Sequence, residues 1–64
     1  MNHDYVVKTT AKNIEVLAGA GDLTHAKALA DRLLAYDGSD ETKTALQQNL
    51  VRAGHPDLLT APAK

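Results

Sequence analysis

Apolar side chains recur at helical spacing in three blocks of this chain, and glycines separate the blocks. Val7, Ala11, Ile14 and Ala18 form one stripe, which Val6, Thr10 and Leu17 widen. The stripe predicts a helix over about residues 4–20, with Asn2 or Asp4 as its cap. Asp4, four residues before Lys8, is oriented for a favourable surface pair. Tyr5-Val6-Val7 and Thr9-Thr10 are rich in β-branched side chains, so residues 4–10 are compatible with either helix or extended chain. Gly19 and Gly21 end the block, since glycine tolerates the left-handed conformation that closes helix C-termini.

A second helix is predicted over residues 22–37. Asp22 is placed to cap it, with Thr24 as the competitor. Leu23, Ala26, Leu29, Ala30, Leu33 and Leu34 make a broad apolar face, while Lys27, Ala28, Asp31 and Arg32 lie on the wet side. Gly38 stops it. The third helix, residues 40–53, opens at Ser39 or Asp40, and Asp40 and Glu41 suit the positive end of its dipole. Ala45, Leu46, Leu50 and Ala53 form its apolar side, Val51 flanks them, and Gln47, Gln48 and Asn49 keep the other side polar. Gly54 terminates it. His55-Pro56-Asp57-Leu58-Leu59 then reads as a turn with Pro56 opening a short helical segment, and residues 60–64 as a frayed tail. Short connections make consecutive helices antiparallel. The expected fold is all-α: three antiparallel amphipathic helices and a C-terminal turn in one small domain.

Composition changes this picture in one respect. The apolar fraction is 44%, but much of it is alanine, and aromatic residues amount to 3%, from Tyr5 and Tyr36 alone. A chain of 64 residues buries only about 60% of the surface it exposes when unfolded, so the fold needs support. The chain has no cysteine, and its histidines have no thiol companions for a structural zinc. Association with another chain, a second copy in the first instance, is the support that remains. Net charge is −1 with both signs dispersed, which disfavours nucleic acid as a partner. No apolar run reaches the ~18 residues of a membrane span, and no basic-then-apolar leader opens the chain. A cytoplasmic protein is expected.

Candidate chemistry is sparse. His3, His25 and His55 are not spaced as a helical metal site requires. His3 beside Asp4 is a local pair at the terminus. Ser39, the single serine, has no base beside it and is placed as a helix cap. Asp37, Asp40 and Glu41 lack the ligand alternation of a calcium loop. Gly19 and Gly21 precede a helix without the Lys-Ser/Thr or the strand of a phosphate loop. No enzyme, metal or cofactor is expected.

Two stretches carry a family likeness. Gly21-Asp22-Leu23-Thr24-His25-Ala26, and Leu33-Leu34-Ala35-Tyr36-Asp37-Gly38-Ser39-Asp40, resemble the second helix and exit turn of a tetratricopeptide repeat. Gly21 and Gly54 stand about 33 residues apart, near the ~34-residue period of that family. The region from Ile14 to Gly54 is also similar to the helical dimerisation domain of alkyl sulfatases. The resemblance implies a partner groove on the polar faces of the first and third helices, with Lys8 and Glu15 on one side and Glu41, Gln48 and Arg52 on the other. Such repeats are stable when stacked, so a single unit implies self-association.

Three further positions bear on partners. Leu58 and Leu59 either fold back over the open end of the bundle or meet another molecule, and Tyr36 is suited equally to a core edge and an interface. The function expected is a non-catalytic helical module that binds another protein or itself, with a homodimer as the simplest form. Two alternatives stay open. One is a helix-turn-helix reader using Gln47, Gln48, Asn49 and Arg52 on bases and Lys43 on phosphate. The other is a small inhibitor or regulator of a larger enzyme.

Overall fold

The structure, a computed structural model, describes residues 2–60. Three helices follow in order, α1 (His3–Gly19), α2 (Leu23–Tyr36) and α3 (Asp40–Arg52), with no strand among the described residues. The segment of residues 4–10, open between helix and extended chain, is helical. Only residue 60 of the proposed frayed tail lies within the described region.

Each helix begins where a short polar side chain accepts a free first-turn amide. Asn2 accepts from the amide of Tyr5 at 3.2 Å, Asp22 from that of His25 at 3.2 Å, and Ser39 from that of Thr42 at 3.2 Å. Helices α1 and α3 close identically. Gly21 and Gly54 adopt φ of 86° and 84°, and the backbone folds over the last carbonyls. The amide of Asp22 reaches the Leu17 carbonyl at 2.9 Å and that of Gly21 reaches Ala18 at 3.0 Å. His55 to Leu50 and Gly54 to Val51 repeat the pattern at 2.9 and 3.0 Å.

The direction of the helices follows from contacts at their ends. The start of α1 lies beside the exit of α2, where His3 meets Asp37 at 2.7 Å. The late part of α1 lies beside the end of α3, where Glu15 meets Arg52 at 3.4 Å. Consecutive helices are therefore antiparallel, and α1 and α3 run the same way. α1 packs against both other helices, whereas α2 and α3 touch each other sparsely. The C-terminal segment after Gly54 is a turn rather than a short helix, and it returns Leu58 to the core.

Ile14, Leu33, Leu46 and Leu50 are the large side chains buried completely, and alanines 11, 18, 26 and 30 let the helices approach around them. Each large side chain contributes about 1.5–3 kcal/mol by leaving water. On α3 one inward position differs from the expectation. Ala45 is exposed, and Thr42, 5% exposed, lies in the row with Leu46 and Leu50. The threonine is tolerated there because its hydroxyl accepts from Ser39 Oγ at 3.2 Å while its amide is held by the same cap.

Candidate interaction surface

Because α2 and α3 barely meet, a groove of about 480 Å³ opens between them. Leu34 on α2 and Leu59 on the C-terminal turn supply its apolar lining; Lys43, Thr44, Gln47 and Gln48 line it from α3. Gln47 donates through its side-chain amide to the Pro56 carbonyl, which fastens the C-terminal turn to α3. A second groove, about 340 Å³, lies along α1 and α2 between Leu17, His25, Ala28, Leu29 and Arg32. Large apolar side chains also stand in solvent outside both grooves. Tyr5, Val16, Tyr36 and Val51 are each more than half exposed, and Leu23 is 37% exposed. Of the inward positions expected on α2, Leu23 is therefore a surface residue.

The residues singled out in the sequence fall into five settings. Lys8 and Glu41 border a cleft between the first halves of α1 and α3, together with Asp4, Val7 and Ala45. Glu15 and Arg52 join across the second halves of the same helices. Glu15 is drawn toward Lys12 at 3.8 Å and Arg52 at 3.4 Å, and Arg52 also donates to Asn49. Leu59 belongs to the α2–α3 groove, and Gln48 borders both that groove and a shallow surface of α3 shared with Glu41. Leu58 is 7% exposed, so it is a core residue of this chain, and its neighbour Leu59 is half-buried. Tyr36 is 54% exposed and carries the His3 ring stacked on it at 5.1 Å between centroids. No single surface gathers all eight positions.

A polar junction lies where the three helices converge. Asp37, 18% exposed at its side chain, accepts from the Ser39 amide at 3.0 Å and from His3 Nε2 at 2.7 Å. A carboxylate only accepts, so the histidine proton sits on Nε2. The Ser39 amide, then His3, then the hydroxyls of Ser39 and Thr42 hold the Asp37 carboxyl far below the usual carboxylate range. His3 thus pairs with Asp37 and not with the adjacent Asp4. At the other end of α2, the ring of His25 meets Asp22 at 2.7 Å, and this contact, followed by the His25 amide, lowers the Asp22 carboxyl. Both junctions serve helix ends. No group of three acidic or histidine side chains among the described residues is placed to hold a metal ion.

No protein family, curated protein or solved structure matches this chain. The site is consequently characterised by its own geometry: an apolar groove with polar walls, flanked by isolated exposed apolar side chains. Such a surface can bind by burying apolar area, with its charged rim setting orientation. Leu34 and Val51 were read in the sequence as apolar-face positions and Lys43 as a phosphate contact, none of them as part of a protein-binding surface. The signal for Leu34 was present, since two adjacent leucines at positions 33 and 34 cannot both point to the centre of one core.

Proposed function

We propose that this chain is a small non-catalytic protein–protein interaction module that associates with a second copy of itself. The observation that carries the reading is the division of its large apolar side chains. Four are completely buried, while Tyr5, Val16, Leu23, Tyr36 and Val51 remain in solvent and Leu34 and Leu59 line an open groove. A core of that size leaves a 64-residue domain near the limit of independent stability. The matching glycine closures at Gly21 and Gly54 support a tetratricopeptide-like hairpin as its architecture. Cytoplasmic location belongs to the same reading; no helix among the described residues is long and apolar enough to cross a membrane.

The helix-turn-helix alternative finds no support in α3. Gln47 is engaged with the Pro56 carbonyl, Arg52 with Asn49 and Glu15, and the helix starts with Asp40 and Glu41. Regulation of a larger enzyme remains a form of the interaction reading, with a different partner on the same surface.

Thermal melts across a hundredfold range of protein concentration test the proposal. Coupled folding and association raise the melting temperature as concentration rises. A melting temperature that does not change with concentration would remove self-association.

A further inference from the structure

Helical spacing extends the α2–α3 groove into a continuous face. On α2, Leu23, Lys27 and Asp31 precede Leu34 at helical intervals and share its side. On α3, Val51 stands one turn beyond Gln47 on the side that lines the groove. Since α2 and α3 run in opposite directions, Leu23 and Val51 mark one end of this face and Leu34 and Lys43 the other.

The charges on the face indicate what covers it. Lys27 Nζ and Asp31 Oδ1 form an i,i+4 pair at 3.0 Å. A cation and an anion so spaced on one helix are self-complementary about a two-fold axis passing between them. Rotation places Lys27 of one copy opposite Asp31 of the other, and the reverse. The same rotation exchanges the ends of the face, so that Leu23 and Val51 of one copy approach the Leu34–Leu59 groove of the other. The groove of Leu17, Leu29 and Arg32 lacks this property, because its lining holds the Arg32 cation and no carboxylate. A net charge of −1 leaves little long-range repulsion between copies.

We infer that the α2–α3 face takes a second copy of this chain in a two-fold dimer. The inference rests on the self-association reading above and specifies its surface.

The test is sedimentation velocity on Lys27→Asp and Asp31→Lys, each alone and mixed in equal amounts, with circular dichroism to confirm helicity. Val51→Arg and Val16→Arg are run beside them. Each charge variant alone is expected to weaken the dimer by about tenfold or more, because like charges then face each other across the axis. Mixing the two restores opposite charges between chains and should recover the dimer, whereas loss of the pair within one helix would not be repaired by mixing. Val51→Arg should disperse the dimer, and Val16→Arg should leave it as in the wild type. A wild-type dimer that persists in both charge variants and in Val51→Arg, or a mixture that shows no recovery, overturns this face and leaves self-association standing. A wild-type chain that stays monomeric overturns both.

Discussion

The exits of α1 and α3 are made by backbone alone, whereas the exit of α2 adds side chains to a single backbone bond from the Asp37 amide to the Leu33 carbonyl. At Gly21 and Gly54 the chain turns left-handed and the closing amides bond to the preceding helix. At Gly38 it does not: the preceding residue, Asp37, is extended, with φ −147° and ψ 96°, and its carboxylate receives the Ser39 amide and the His3 ring. Gly38 is small there for a different reason, because a Cβ would meet the Leu34 carbonyl at 3.0 Å. A local exit depends on a few consecutive residues. The α2 exit instead ties the start of α1, the end of α2 and the cap of α3, so its stability depends on tertiary contact.

Substitutions at the two kinds of exit should separate them. The largest effect is expected at Gly21→Ala and Gly54→Ala, where an L side chain in the left-handed region costs about 1–2 kcal/mol. Denaturant titration gives each value, and equal losses at the two sites would confirm that the closures are equivalent. Next comes Ser39→Ala, which removes the cap of α3 at a cost of about 1 kcal/mol. An unchanged urea midpoint would remove that assignment. Gly38→Ala should cost less than either glycine above, because it asks one carbonyl to yield by a few tenths of an ångström at ordinary φ. A loss at Gly38 equal to that at Gly21 would erase the distinction.

Asp37→Asn keeps an amide oxygen for the Ser39 amide but loses the charged acceptor of His3, so its deficit against the wild type should be present at neutral pH and close as the pH falls. The folded pKa of Asp37 is depressed, so its stabilisation is complete above the ordinary carboxylate value of ~3.9 and is lost as pH falls below it toward the folded value. Asp22, also lowered, acts in the same direction at the other end of α2. Melting curves of the wild type from pH 6 down to pH 2 should therefore fall more steeply than those of the Asp37→Asn variant. Parallel curves would deny Asp37 its part in the junction.

Features that depend on neighbouring residues were legible before the structure. Asp22 and Ser39 cap as their positions predict, and each glycine-marked block is a helix within a residue or two of its expected bounds. What depends on which helix lies beside which was not. Placement of α3 against α1 leaves α2 and α3 apart, and that separation creates the Leu34–Leu59 groove. Thr42 was not among the inward positions expected of α3; a buried hydroxyl needs a partner, and Ser39 supplies it. The His3–Asp37 contact joins residues at opposite ends of two helices, which no spacing rule brings together. Lys8 and Glu41 border a cleft between α1 and α3 and Glu15 pairs with Arg52 across the same two helices, while Gln48, on the same side of α3 as Glu41, also borders the α2–α3 groove.

Sedimentation equilibrium over roughly a hundredfold range of concentration addresses the account most directly. The account predicts a weight-average mass that climbs with concentration from the 6.8 kDa of one chain toward twice that value. A mass that stays at 6.8 kDa throughout would contradict it.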